Sequence, residues 1–176
     1  MFHKRTINNN DSKILFQALP ALGKTTAVVS YAGQALDSDV LMTMLLGDVG
    51  PKVWERVGFT YNQYLKELAK LTSLMFGNYP TLKFVASNTF YKCKGFKNVL
   101  IGVEPELYID VIIANERSEL ITLFGKDKLF QWALESLDLA NLCDEVIMLN
   151  EGEYVTDVID KYYNPDFKIM DGDSDD

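Results

Sequence analysis

Ala18-Leu19-Pro20-Ala21-Leu22-Gly23-Lys24-Thr25 fits the relaxed phosphate-loop pattern, with alanine in the place of the first glycine. Such a loop works because glycines let backbone N–H groups wrap a phosphate while the lysine neutralises its charge. The apolar run Ile14-Leu15-Phe16-Gln17-Ala18-Leu19 leads into it and reads as a buried first strand, the context that a phosphate loop requires. Three features stand against that reading. Only one glycine is present where close backbone approach needs two. Pro20 removes an N–H from the cradle. No strand-terminal acid for magnesium stands out, since Asp110 sits inside an apolar run that continues past it. The sequence therefore favours an ordinary surface loop for Gly23, Lys24 and Thr25 over a nucleotide site.

The rest of the chain reads as alternating strands and helices. Residues 20–39 are rich in small residues and ambiguous, and 40–46 suits a strand or a short buried helix. Gly47-Asp48-Val49-Gly50-Pro51 is a turn. Tyr61, Tyr64, Leu65, Leu68, Leu71 and Met75 recur at three- and four-residue spacing, which predicts an amphipathic helix over 60–76. Gly77-Asn78-Tyr79-Pro80 ends it. Apolar runs predict strands at 82–86, 99–103, 107–114, 120–124 and 145–149, with further strands at 154–159 and 167–170. Leu129, Phe130, Ala133, Leu134 and Leu137 mark a second helix over 127–141, which Asp127 can cap. The alternation implies an α/β fold with a mostly parallel central sheet flanked by helices. Residues 1–12 are expected to be disordered, 13–170 to form a single domain, and 171–176 to be a solvated acidic tail.

Composition narrows the function classes. The 176 residues are 48% hydrophobic and 24% charged, ordinary globular values, with a net charge of −8. Affinity for nucleic acid rests largely on neutralising phosphates, so an acidic chain is a poor candidate for that partner. Lys83, Lys92, Lys94 and Lys97 are a local exception; they read as a solvated loop sooner than as a phosphate site. Cys93 and Cys143 are isolated and His3 is the single histidine, so no Cys/His metal site is expected. No apolar run nears the ~20 residues that cross a bilayer. A cytoplasmic setting is the expectation, the host cytoplasm if the protein is viral.

Four islands between Leu46 and Leu149 carry a family resemblance. They are Leu46-Gly-Asp-Val-Gly-Pro-Lys-Val-Trp54-Glu-Arg-Val with its following helix, Phe84-Val-Ala-Ser-Asn-Thr89-Phe90, Gly95-Phe-Lys-Asn98-Val-Leu-Ile, and Ile121-Thr-Leu-Phe-Gly125-Lys126 continuing to Cys143-Asp-Glu-Val-Ile-Met-Leu149. Their order resembles dihydrofolate reductase, closest in style to bacteriophage forms. The resemblance implies that fold, makes residues 20–39 an insertion, and names Thr89, Gly125 and Lys126 as candidate cofactor contacts, with NADPH as the cofactor.

The working groups that the family would need are replaced. Thr60 stands where the pocket acid falls, and neither Glu55 nor Glu67 is at the matching step of the helix. Ser87 stands where a phosphate-binding arginine falls, and Phe96 where a carboxylate-binding arginine falls; neither can supply a charged fork. Lys126 replaces the second of two glycines. Thr89, Gly125 and Trp54 survive, each with a plain structural use. The resulting expectation is no catalytic residue, no cofactor and no metal. The chain would be a non-enzymatic interaction or scaffold protein of a bacteriophage, binding nucleus-shell or portal components. Tyr162, Tyr163 and Phe167 are the candidate partner-binding residues. The alternatives are a divergent NADPH-dependent reductase and a P-loop nucleotide-binding protein using Gly23, Lys24 and Thr25.

Overall fold

A computed structural model describes residues 13–164. The first strand, β1 (Lys13–Ala18), is buried on both faces: Ile14, Leu15, Phe16 and Gln17 are all at most 3% exposed. A strand with two buried faces belongs in the middle of a sheet covered on both sides. That is its place. β1 is flanked by β3 (Phe84–Ser87) and β4 (Phe96–Gly102), with β2 (Ala35–Asp37) and β5 (Glu145–Met148) at the edges. Every pairing is parallel, so the order β2-β3-β1-β4-β5 requires a crossover between successive strands.

The period-two alternation of β1 feeds two cores. Ile14, Phe16 and Ala18 join Leu22, Ala27, Tyr108, Ile112, Leu129 and Ile159 on one face. The helices there are α1 (Lys24–Ser30), α5 (Pro105–Ala114), α7 (Lys126–Asp138) and α8 (Val155–Tyr163). Leu15 joins Leu41, Val53, Tyr64, Leu68 and Val85 on the other, under α2 (Ser38–Leu46), α3 (Val53–Arg56) and α4 (Tyr61–Asn78). A short α6 (Ser118–Phe124) leads into α7.

Local chemistry explains the helix ends. Asp37 caps α2 by accepting from the Asp39 N–H, and Gly47 closes it in the left-handed conformation. Thr60 and Gln63 form a reciprocal capping box at the start of α4. Pro105 opens α5, where its missing N–H would have had no intrahelical partner.

Several sequence expectations need correction. Residues 107–114, 120–124 and 155–159 are helical, in α5, α6 and α8, and Tyr154 is the extended residue before α8. Short apolar runs do not separate buried strands from buried helices, and here helix packing against the sheet decided. The stretch 20–39 is no insertion, since it holds α1 and the edge strand β2. Residues 40–46 belong to a helix. The dihydrofolate-reductase likeness fails with these elements, while the coarser expectation of a parallel α/β sheet stands. Residues 1–12 and 167–170, with Phe167, lie outside the described residues. Among the described residues, no helix is long and apolar enough to cross a membrane.

Candidate functional site

In a parallel sheet, ligands bind beyond the carboxyl ends of the strands, where neighbouring connections depart in opposite directions. Here that point is the end of β1. Its chain leaves to form α1 and the distant edge strand β2, while β3 and β4 flank it. A cavity of about 720 Å³ opens there, lined by Pro20, Ala21, Gly23, Lys24, Thr25, Asp39, Asn88, Asn115, Arg117 and Tyr154, among others.

The loop from β1 to α1 has an unusual backbone. Ala21 (φ 70) and Gly23 (φ 92) are both left-handed. That is free for glycine and costs alanine about 1–2 kcal/mol. Three carbonyls of the loop are held in turn. The Ala21 oxygen accepts from Asn115 Nδ2 at 2.9 Å, the Leu22 oxygen from the Val155 N–H at 2.9 Å, and the Gly23 oxygen from the Ala27 N–H at 3.0 Å. No peptide bond here is cis. In a trans peptide the N–H points opposite to the C=O. Fixing these carbonyls therefore turns the N–H groups of Leu22, Gly23 and Lys24 the other way. Successive N–H groups presented in this manner form an anion-binding nest.

Lys24, the first residue of α1, is 7% exposed. Its ammonium donates to Asp37 Oδ1 at 2.5 Å and to Asp39 Oδ2 at 2.9 Å. Asp37 ends β2 and is nearly buried, whereas the Asp39 side chain is half exposed. Thr25 and Thr26 are exposed beside the lysine and line the cavity. Across it, Arg117 follows the turn after α5, its Nε held by Glu119 at 2.5 Å. Tyr154 closes the third side. Its hydroxyl donates to Asn115 Oδ1 at 3.0 Å, and a Cβ at position 23 would lie 3.6 Å from that of Tyr154.

The structure thus brings Gly23, Lys24 and Thr25 together at one cavity, with Lys24 buried where the sequence favoured an ordinary surface loop. The other sequence candidates fall elsewhere. Thr89 starts no helix; its N–H and C=O both bond Ser87 Oγ in the turn after β3. Gly125 separates α6 from α7, and Lys126 lines a different, shallow cleft with Asp110 and Asp127. Thr60 is a helix cap. Phe96 packs edge-on against Phe76. Trp54 stacks on Tyr64 with 11° between the rings. Lys97 lies at the amino-terminal edge of the sheet, bonded to Glu145 and to the Tyr162 hydroxyl. Tyr162 and Tyr163, expected at a partner surface, are half-buried and pack on Phe16, with Tyr163 also against Phe84 and Tyr31.

The residues missed in the sequence are Asp37, Asp39, Asn88, Asn115, Arg117 and Tyr154. Asp37-Ser38-Asp39 was the available signal. Its strand is only three residues long, too short to show a period.

No family model matches the chain, and no curated protein matches it. In fold, the chain is similar to shikimate kinases. Shikimate kinase from Bacteroides thetaiotaomicron matches with a TM-score of 0.58 at 14% identity, covering 86% of this chain and 97% of that one. Shikimate kinase from Acinetobacter baumannii, in complex with shikimate, matches with a TM-score of 0.55 at 15% identity, covering 86% and 90%. Both are kinases. The likeness overturns the dihydrofolate-reductase expectation and, with it, the reading as a degenerate reductase serving as a phage scaffold.

Proposed function

We propose that this chain is a P-loop phosphotransferase, binding a nucleoside triphosphate on the 18–25 loop and passing its terminal phosphoryl group to a small molecule. The observation that carries the reading is Lys24. A buried ammonium sits at the head of α1, held by two carboxylates and opening on a cavity of about 720 Å³. That volume lies within the range of ligand sites. The like-folded structures are kinases, which supports the reaction class; identities of 14% and 15% do not extend to the acceptor.

Each residue then has a task. The N–H groups of Leu22, Gly23 and Lys24 receive phosphate oxygens, and the Lys24 ammonium offsets their charge. Arg117 faces the same cavity and can spread the charge that builds on a phosphoryl group in transfer. Magnesium arriving with a nucleotide keeps its waters and needs only one or two protein carboxylates. Asp37 and Asp39 fit that need, and the cation would supply charge neutralisation. Once Lys24 turns to phosphate, these carboxylates are free of their present partner.

The test is equilibrium binding of MgATP by calorimetry to the full chain and to Lys24→Ala. ADP release is then followed against a panel of small hydroxyl-bearing acceptors, shikimate included. Binding that requires Lys24 and ADP release that requires an acceptor are expected. Absence of MgATP binding by the unaltered protein would overturn the proposal.

A further inference from the structure

Ala21 occupies the left-handed region that glycine favours, and backbone strain of that kind persists only where the surroundings hold it. What holds it is visible. Asn115 caps the end of α5, and its side chain uses both ends at once. Nδ2 donates to the Ala21 carbonyl at 2.9 Å, and Oδ1 accepts from the Tyr154 hydroxyl at 3.0 Å. Tyr154 in turn precedes Val155, whose N–H takes the next carbonyl, that of Leu22. The loop is therefore clasped by the ends of α5 and α8 through adjacent carbonyls.

We propose that Asn115 is a positioning residue for the phosphate-binding loop: by holding the Ala21 carbonyl it keeps the Leu22 N–H, on the opposite side of the same peptide, turned to the anion. An external brace thus replaces the freedom that a glycine at 21 would supply. The inference rests on the phosphotransferase reading for its ligand, though not for the conformation of the loop. It also accounts for two of the three features that argue against a phosphate loop in the sequence, the missing glycine and Pro20. Pro20 lacks an N–H, but the peptides turned by the brace lie after it.

The brace predicts a specific coupling. Asn115→Ala should weaken MgATP binding about tenfold, the worth of one well-formed hydrogen bond. Ala21→Gly alone is the reference for rescue, because glycine adopts φ 70 without strain. In the double variant, glycine should restore binding to near that of Ala21→Gly. A role of Asn115 in general stability would show no such rescue.

The experiment is calorimetric titration of MgATP into the four proteins, with amide hydrogen exchange of the peptide covering residues 19–24 measured on each. Asn115→Ser is made beside Asn115→Ala, so that a folding failure of one leaves the other. Faster exchange in the loop on loss of Asn115, with weaker binding rescued by Ala21→Gly, is the expected result. Unchanged loop exchange overturns the brace, as does a double variant as weak as the single one. Failure of the unaltered protein to bind MgATP overturns the phosphotransferase reading instead, and the exchange measurement still decides the brace.

Discussion

One carboxylate oxygen, Asp37 Oδ1, accepts both the Lys24 ammonium at 2.5 Å and the N–H of Asp39 at 2.8 Å. The same atom caps α2 and anchors the lysine of the loop between β1 and α1. The edge strand β2 and the first turn of α1 are thus tied at the site itself. Removing Lys24 leaves a nearly buried carboxylate without its cation, a loss of about 3 kcal/mol for a pair of this kind. Lys24→Ala is expected to show that loss in urea unfolding. Asp37→Asn retains a capping side chain. The double variant should then recover at least about 1 kcal/mol of the summed single effects. Strict additivity would show that the pair contributes nothing.

Arg117 is exposed and bonded to Glu119, so Arg117→Ala should alter stability by less than about 0.5 kcal/mol. If it stabilises the transferring phosphoryl group, turnover should fall about a hundredfold with little change in nucleotide affinity. Steady-state kinetics of ADP release separates the two. Equal loss in affinity and no loss in turnover would assign Arg117 to ground-state binding alone.

Tyr163 has a buried hydroxyl without a hydrogen-bond partner among the described residues, as does Tyr108. Tyr163→Phe keeps the ring contacts with Phe16 and Phe84 and removes a desolvated polar atom. It should be neutral or stabilising, by up to about 1 kcal/mol. Tyr163→Ala, which deletes the ring, should cost about 3 kcal/mol or more. Thermal unfolding of both variants gives the comparison.

The same burial sets an alkaline limit. Desolvation pushes Tyr108 up to about 12 and Tyr64 up to about 12, and raises Tyr91 and Tyr163 further. Above the ordinary tyrosine value of 10.0 the unfolded chain releases these protons while the folded one retains them. The unfolded state then binds fewer protons, so stability falls as pH rises. It should be fully present below about pH 10 and fade between 10 and 12 and beyond. Tyrosinate absorbance appearing together with loss of circular dichroism would show this, and Tyr108→Phe should move the transition to higher pH.

Thr60 was expected at the position of a catalytic acid and instead caps α4, bonding the Gln63 N–H at 3.1 Å. Thr60→Ala should cost about 1 kcal/mol. In a chain of this size that shift is about 2–4 °C in Tm. Thr60→Ser should restore most of it.

Much of the fold was legible in the chain itself. Ile14–Ala18 has no polar face, which requires a central strand, and Tyr61 to Met75 carries a three- and four-residue period over many turns. Long periods and continuous apolar runs are local properties, so α4, α7 and β1 could be read directly. The Gly23-Lys24-Thr25 triplet was legible too, as a motif following a strand. What failed was the short element. Ala35–Asp37 is too brief for a period, and the run Leu107–Ala114 suits a strand or a helix equally until its neighbours are known.

The sequence by itself determined the α/β class, the central strand and the loop that follows it. Only the tertiary structure decided how that loop is held. Its conformation is held by Asn115, Tyr154 and Val155, between 94 and 133 residues away along the chain. Its lysine is met by the acid at the end of an edge strand. A motif describes freedom intrinsic to its own residues, as glycine provides. Here the conformation is imposed by hydrogen bonds from distant segments, and such constraints exist only once the crossovers of the sheet have brought those segments together.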